Sequence, residues 1–362
     1  IGIQFVASFG LIIGATFMYL QNYYMQNTPL GYDKDEVIIT NMNNNIRKSR
    51  DAFASQVKSF SGIEEVTYAE MLLSSQDQYM GWGRKYRDKD IQFQCLPVES
   101  SFLKVMNVKI SEGRDFREED KAKRYGTFVF NERARTEYGL EIGSLIDSME
   151  IVGFMPDVKF ASFRTEVTPM AFFVWGTNNW GNQPNYAYIK VKAGSDLRGA
   201  MLHVKTTLQS FDPEYPFNVR FFDEVLNGLY EKERSLSSLI TLFSLIAIFI
   251  SVVGVFGLVV FDSEYRKKEI GIRKVLGSTT EEIIVMFNKT YIRILCVCFV
   301  LGAPIAGYVV HRWLENFAYK TPMYWWVYLI AFAIIAVITI LTVTFQNWRA
   351  ANENPVHSIK NE

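Results

Sequence analysis

The sequence predicts an α-helical membrane protein with four transmembrane helices plus a large α+β extracytoplasmic domain inserted between the first and second spans. Two observations lead to this fold class. A membrane-spanning helix needs about 20 predominantly apolar residues, and four runs of the chain reach that length with few charges inside them. Charged residues are concentrated instead between positions 33 and 234, in a segment long enough for a folded domain. The four apolar runs are Ile1–Leu20, Ile240–Phe261, Tyr291–Val310 and Tyr324–Phe345.

The composition argues against several classes of protein. The 362 residues carry 38 Lys and Arg against 38 Asp and Glu, and a nucleic-acid-binding protein would usually have a basic surplus. The three cysteines, Cys95, Cys296 and Cys298, have neither the number nor the spacing of a disulfide framework or a zinc site. Because the chain begins at Ile1 inside an apolar run, we expect it to be a piece of a longer polypeptide.

Basic residues in the short connections predict the orientation in the membrane. Short loops rich in Lys and Arg stay in the cytoplasm. The connection between the third and fourth spans offers only Arg312 and Lys320. The connection between the second and third spans is far more basic, and we therefore place it and the C-terminus in the cytoplasm and the long charged segment outside. Its basic residues are Arg266, Lys267, Lys268, Arg273, Lys274 and Lys289.

The long segment between the first two spans is predicted to be α+β. Alternating and β-branched stretches predict strands, and amphipathic stretches predict helices. We expect a helix without interruption over Glu224–Phe261, in which Gly228 is the only weak point. The predicted strands are Val37–Thr40, Ile91–Pro97, Met149–Phe154 and Tyr186–Val191, and the predicted helices are Arg47–Phe60 and Asp196–Phe211, the latter with Asp196 as its N-cap.

These patterns divide the chain into eight predicted segments. They are a first transmembrane helix (1–20), an extracytoplasmic α+β domain (21–221), a stalk helix (222–238), a second transmembrane helix (239–262), a cytoplasmic hairpin (263–290), a third transmembrane helix (291–311), a fourth (324–346) and a cytoplasmic tail (347–362).

No motif in the chain predicts catalysis, a cofactor or a metal ion. The three histidines, His203, His311 and His357, do not form a zinc-protease motif, and no glycine is followed by lysine as a phosphate-binding P-loop requires. The acidic clusters Glu64-Glu65 and Glu118-Glu119-Asp120 are predicted to be solvated surfaces. We therefore expect no catalytic, cofactor-binding or metal-ligating residue in this chain.

The hairpin between the second and third spans is the most informative segment. Gly277 suits the position just after a helix end, where glycine accepts a left-handed conformation. Ser278 followed by Glu281 matches a capping box that opens the next helix. The pattern predicts a helix–break–helix hairpin with an amphipathic, basic-rimmed tip. A docking surface for another protein and a basic anchor on anionic lipid are both compatible with it.

At this hairpin the sequence resembles the FtsX-like and MacB-like permeases of ABC transporters. The stretch KEIGIRKVLG at 268–277 looks like the signature loop of that family. Three weaker features are also similar: the large loop after the first span, the tail Asn354-Pro355-Val356, and Val129–Gly139 followed by Ile151–Phe154. The resemblance suggests either the C-terminal half of a long permease with two repeats or a four-span permease without a fused ATPase.

The resemblance implies a division of labour between subunits. In this family the permease hydrolyses nothing itself, and its hairpin docks on a separate cytoplasmic ATPase subunit that binds ATP and Mg. ATP-driven motion then passes through a stalk to the outer domain, a mechanism called mechanotransmission. The coupling residues carried over by position are Glu269, Ile270, Gly271, Ile272, Arg273, Lys274, Val275, Leu276 and Gly277.

The resemblance also implies a setting and partners. We expect a bacterial inner membrane, a second permease half or a homodimer, contact with membrane lipid, and an extracytoplasmic adaptor or lipoprotein in some systems. The substrate would be hydrophobic, a peptide or a lipoprotein. The alternative is a membrane receptor or regulatory protein with an extracytoplasmic sensor domain, although a cytoplasmic signalling module would then be expected and only a short tail follows Trp348.

Overall fold

The computed structural model describes residues 2–74, 80–159, 163–178, 184–265, 272–273 and 276–351, apart from the side chains at 229, 232–233, 262–264 and 349–351. The chain divides into two compact units. The helical unit combines Ile1–Asn27 with Lys232–Glu362, and the α+β unit is Thr28–Glu231.

Ten helices and eleven strands are named here. The helices are α1 (Gly2–Asn27), α2 (Asn44–Lys48), α3 (Arg50–Val57), α4 (Phe102–Val105), α5 (Glu132–Tyr138), α6 (Leu197–Phe211), α7 (Phe222–Leu229), α8 (Glu231–Tyr265), α9 (Thr280–Leu314) and α10 (Trp326–Ala351). The strands are β1 (Val37–Asn41), β2 (Ile63–Ala69), β3 (Met80–Tyr86), β4 (Lys89–Pro97), β5 (Glu112–Gly113), β6 (Thr127–Asn131), β7 (Leu145–Ile146), β8 (Met149–Met155), β9 (Met170–Val174), β10 (Tyr186–Val191) and β11 (Arg220–Phe221).

The helical unit contains the four predicted apolar spans. Helices α1, α8, α9 and α10 are long and apolar enough to cross a membrane. The ring of Phe9 on α1 packs against Phe299 of α9 and Phe332 of α10, with centroids 5.2 and 6.3 Å away. A Cβ atom at Gly302 would lie 3.4 Å from the backbone of Val6, so the small residue lets α9 approach α1 closely.

A buried glutamine fastens one end of this helical unit. The side chain of Gln21, near the end of α1, is fully buried. Its Nε2 donates to the carbonyl of Tyr319 at 3.0 Å, and its Oε1 accepts from the N–H of Thr321 at 2.8 Å. Both residues belong to the connection between α9 and α10. Because each polar atom of the amide has a backbone partner, Gln21 satisfies groups that an apolar environment would otherwise leave unpaired.

The α+β unit is built on two sheets. The first has the strand order β11-β1-β10-β2 with antiparallel pairing throughout. The second runs β3-β4-β9-β6-β8-β5, with β7 also paired to β8. Its β4–β9 and β6–β8 pairs are parallel, so this sheet is mixed. The predicted strands are all present, and Asp196 caps α6 as predicted by accepting from the N–H of Gly199 at 3.0 Å.

The predicted helix Arg47–Phe60 is wrong in its extent. The structure has two short helices, α2 and α3, which meet at Ser49. Ser49 has φ −116° and ψ 31°, outside helical values, and its N–H donates to the carbonyls of both Asn45 and Ile46. Asn43 begins α2 several residues before the predicted start by accepting from the N–H of Ile46 at 3.0 Å. An Asn N-cap of this kind fixes where a helix starts.

The prediction of a solvated surface is wrong for Asp120, which is fully buried. Arg114 donates to both of its carboxylate oxygens at 2.8 Å, the backbone N–H of Arg117 donates at 2.8 Å, and the ammonium of Lys123 lies 3.2 Å away. Burial opposes ionisation, but these hydrogen bonds and charges outweigh it and lower the pKa of Asp120. Asp120 therefore organises the turn around the 3₁₀ helix Glu118–Ala122.

The prediction of one uninterrupted helix over Glu224–Phe261 is wrong at Tyr230. Helix α7 ends at Leu229, Tyr230 has φ −112° and ψ 12°, and α8 begins at Glu231. The hydroxyl of Tyr230 accepts from the N–H of Phe163 at 3.1 Å, and the two rings pack edge to face. This tertiary contact holds Tyr230 outside helical geometry. The predicted stalk 222–238 is therefore two helices joined at Tyr230.

Helix α7 belongs to the core of the α+β unit. Phe222, Val225 and Leu226 are buried there, and the ring of Phe222 lies 5.9 Å from the rings of both Tyr32 and Tyr188. Tyr32 lies just after the chain enters the unit, and Phe222 lies shortly before the chain leaves it. The two connections to the helical unit therefore begin from one shared aromatic cluster.

Candidate functional site: the hairpin between α8 and α9

The predicted coupling segment is described in part. Ile272, Arg273, Leu276 and Gly277 are described, as are Ser278 and Glu281. The remaining predicted coupling residues, Glu269, Ile270, Gly271, Lys274 and Val275, lie outside the described residues.

The turn at Gly277 ends one helix in a specific geometry. The N–H of Leu276 donates to the carbonyl of Ile272 at 3.0 Å, and the N–H of Ser278 donates to the carbonyl of Arg273 at 2.9 Å. Gly277 has φ 96°, in the left-handed region that a side chain would strain. A 6→1 bond across a left-handed glycine is the Schellman motif, which satisfies carbonyls at a helix end. The left-handed conformation predicted for Gly277 is confirmed.

The predicted capping box at Ser278 and Glu281 is wrong by one residue. Thr279 is the N-cap of α9: its Oγ1 accepts from the N–H of Glu282 at 3.2 Å, and the carboxylate of Glu282 accepts from the N–H of Thr279 at 3.1 Å. Ser278 cannot take this position because its own N–H closes the preceding turn. Ser278 therefore closes the end of the helix before the turn, and Thr279 caps the start of α9.

The tip exposes apolar side chains and partly buries a basic one. Leu276 is 79% exposed and Ile272 is 57% exposed. Arg273 is half-buried and so less exposed than either of them, and its guanidinium donates to Sδ of Met286 on α9. The sequence predicted Arg273 as a source of charge for docking but did not identify Met286 as its neighbour. The acidic residues Glu281 and Glu282 lie at the start of α9, where carboxylates are favourable next to the helix dipole.

This arrangement is suited to recognition of another molecule. Within the described ranges, no three His, Cys, Asp or Glu side chains lie close enough to hold a metal ion. The described part of the hairpin is a structured turn with two exposed aliphatic side chains, directly before the long apolar helix α9. Exposed apolar side chains on a fixed turn are suited to binding another protein.

Comparison with known proteins shows which family the helical part of the chain resembles. Residues 241–355, which include most of α8, the hairpin, α9 and α10, match the model of the FtsX-like permease C-terminal domain. Over 230 residues, or 60% of this chain, the sequence is 23% identical to the macrolide export ATP-binding/permease protein MacB of Chromobacterium violaceum. Residues 241–355 therefore resemble the C-terminal domain of FtsX-like permeases. The MacB of Escherichia coli K12 is 22% identical over 233 residues.

The chain spans about a third of the length of these curated relatives, since each alignment covers 35% of the relative. Among solved structures, the periplasmic region of MacB from Actinobacillus actinomycetemcomitans is similar, with 14% identity and a TM-score of 0.39 over 55% of this chain and 94% of that structure. The extracellular domain of the ABC-type transporter YknZ from Gram-positive bacteria is similar over 51% of this chain and 99% of that structure, with 12% identity and a TM-score of 0.37.

Replacing Thr279 should loosen the start of α9, whereas replacing Ser278 should not. Loss of an N-cap hydroxyl costs about 1 kcal/mol, so Thr279→Ala should accelerate hydrogen exchange of the Glu282 amide by about fivefold. Ser278→Ala is the matched control, because its backbone N–H rather than its hydroxyl makes the described bond. Both are measured by hydrogen exchange and mass spectrometry on the full chain in detergent. Faster exchange in Ser278→Ala alone would contradict the assignment.

Proposed function

We propose that this permease couples ATP hydrolysis by a separate cytoplasmic ATPase subunit to movement of its α+β unit outside the membrane. The ATPase binds ATP and Mg, and the permease hydrolyses nothing. The work done is the export or extraction of a hydrophobic, peptide or lipoprotein substrate. A second permease half, or a second copy of this chain, completes the transporter, and an extracytoplasmic adaptor or lipoprotein acts with it in some settings.

The observation that carries this proposal is the exposed pair Ile272 and Leu276 on the hairpin. Fully burying one such side chain contributes about 1.5–3 kcal/mol, so docking both supplies a substantial part of a protein–protein contact. The Schellman turn and the capping box hold this part of the hairpin in a defined conformation before docking, which reduces the entropy lost on binding. A docked ATPase can then push or pull on α8 and α9 together.

The proposed orientation places the hairpin in the cytoplasm of a bacterial cell, at the inner membrane. Its support is the excess of Lys and Arg in the connection between α8 and α9 over the connection between α9 and α10. The α+β unit then lies outside the membrane, inserted between the first and second spans. This orientation is required by the proposal, because an ATPase in the cytoplasm can act only on a cytoplasmic hairpin.

The proposed relay rests on how the α+β unit holds its two connections. The backbone N–H of Lys159 donates to the carbonyl of Leu30 at 2.8 Å, and its ammonium donates to the carbonyl of Pro29 at 3.2 Å. A few residues further along the same connection between β8 and β9, the N–H of Phe163 donates to Tyr230. The connection between β8 and β9 therefore contacts the chain both where it enters the α+β unit and where it leaves it. In the proposed relay, a displacement of α1 or of α8 reaches this same connection.

Leu276→Asp should strongly weaken docking of the ATPase. A carboxylate on the tip prevents its burial in an apolar contact, and such a change at the centre of an interface costs 2 kcal/mol or more, about a thirtyfold loss of affinity. The tagged full-length chain is purified from membranes of the source organism, and co-purifying ATPase subunits are identified by mass spectrometry. Leu202→Asp is the matched control, because Leu202 is 66% exposed on α6 and should keep normal capture. Equal capture by Leu276→Asp and Leu202→Asp would refute the coupling assignment.

Cysteine labelling should report opposite sides of the membrane for the two units. In a Cys296→Ala background, Leu202→Cys should react with a membrane-impermeant maleimide in intact spheroplasts. Leu276→Cys should react only after permeabilisation, since it lies on the proposed cytoplasmic tip. Cys95 and Cys298 are buried in the structure and should contribute little background. Labelling of Leu276→Cys in intact spheroplasts would invert the orientation.

Tyr230→Phe should weaken the relay while leaving ATPase capture unchanged. The substitution keeps the ring but removes the acceptor for the Phe163 N–H, which costs about 1 kcal/mol locally. In the reconstituted complex, ATP-dependent changes in hydrogen exchange across the α+β unit should shrink several-fold. Tyr215→Phe serves as the control, because it removes a hydroxyl that accepts from Asn41 at 3.3 Å, away from both connections. Unchanged ATP-dependent exchange in Tyr230→Phe would argue against the relay.

A further inference from the structure

Two exposed basic residues on α9 have no hydrogen-bond or ion-pair partner among the described residues. Lys289 and Arg293 are both exposed and lie four residues apart, so they share one side of the helix. Neither makes a hydrogen bond or an ion pair with any part of the chain that the structure describes. Like charges at this spacing destabilise a helix slightly, so the pair is unfavourable unless something negative lies beside it.

The positions of Lys289 and Arg293 along α9 place them at one edge of the hydrocarbon core. Arg293 and Arg312 are nineteen residues apart, which corresponds to about 28 Å of helix, and the hydrocarbon core is about 30 Å thick. The exposed surface between them is apolar. It includes Val297, Val300, Leu301, Ile305 and Val309. Arg293 and Arg312 therefore mark the two edges of the apolar surface of this helix, and Lys289 lies one turn further out.

The arginine at the opposite edge is satisfied within the protein. Arg312 donates to Glu315 at 3.0 Å and to the hydroxyl of Tyr308 at 3.3 Å, and its guanidinium lies 5.7 Å from the Tyr308 ring centroid. One helix thus carries a paired arginine at one membrane edge and, at the other, two cations that have no partner in the described part of the chain. Either arrangement of basic residues would anchor the helix at a membrane interface. The difference between the two ends of α9 therefore points to a ligand at the end nearer the hairpin.

We infer that Lys289 and Arg293 bind the phosphodiester of an anionic phospholipid in the leaflet on the hairpin side. A guanidinium forks two N–H groups onto phosphate oxygens, and a lysine ammonium one turn away adds a compact positive charge. Phosphate groups lie at the depth where Arg293 leaves the hydrocarbon core. Binding there relieves the repulsion between the two cations. This inference depends on α9 spanning the membrane and is independent of the proposed ATPase coupling.

Lipid add-back to the delipidated full-length chain tests the inference. Native mass spectrometry counts bound lipid during titration with phosphatidylglycerol or with phosphatidylcholine. The wild-type chain should prefer phosphatidylglycerol. Lys289→Gln and Arg293→Gln should each weaken phosphatidylglycerol binding about fivefold, and the double variant about thirtyfold, since each basic residue near anionic lipid contributes about 1 kcal/mol. Arg293→Lys should retain most of the binding.

Arg312→Gln is the matched control, because it removes an interfacial arginine of the same helix that is already paired. It should leave phosphatidylglycerol binding unchanged. Equal binding by wild type and the double variant overturns the inference, as does displacement of the lipid by millimolar inorganic phosphate. If the double variant keeps its lipid but loses captured ATPase or changes oligomeric state, the cations belong to a protein interface and the inference is wrong. Monodisperse elution and unchanged tryptophan fluorescence verify that each variant is folded.

Discussion

The turn at Gly277 is the constraint on which the proposed coupling site depends. Two helix ends meet there within a few residues, and each end leaves backbone groups that must find partners. The bond from Ser278 to Arg273 satisfies a carbonyl of the first helix, and the reciprocal bonds between Thr279 and Glu282 satisfy amides of the second. Since Ser278, Thr279 and Glu282 are all used in this way, the exposed Leu276 lies directly before a turn whose backbone bonds are satisfied.

The same principle explains how the α+β unit is connected. An isolated helical stalk would hold its position only by its own stiffness. In this chain α7 is fixed in the core by Phe222, and the chain then leaves helical geometry at Tyr230, whose hydroxyl accepts a hydrogen bond from the N–H of Phe163. A break held by a tertiary contact transmits a displacement to the place where the contact is made. A continuous rod would instead deliver it to the far end of the helix.

Features that depend on composition and residue spacing could be predicted from the sequence. Features that depend on contacts between distant residues could not. The four spans follow from run length alone, and Gly277 follows from the rarity of left-handed backbone in other residues. Ser278 and Thr279 could not be separated by pattern, because each is followed three residues later by glutamate, and only the bond that occupies Ser278 decides. The burial of Asp120 depends on Arg114 and Lys123 closing around it, and the break at Tyr230 depends on Phe163, which is distant in sequence.

The length of α9 separates the two roles that basic residues in this region could serve. Arg293 lies thirteen positions after Thr280, which corresponds to about 20 Å of helix, whereas the headgroup layer adds only about 5–8 Å beyond the hydrocarbon edge. If Arg293 marks that edge, a helix with ordinary tilt carries Leu276 well beyond the lipid. An apolar, 79% exposed leucine held in water on a capped turn has no lipid to enter, so its exposure favours a protein partner. The contact with lipid falls to Lys289 and Arg293, where the helix crosses the headgroups.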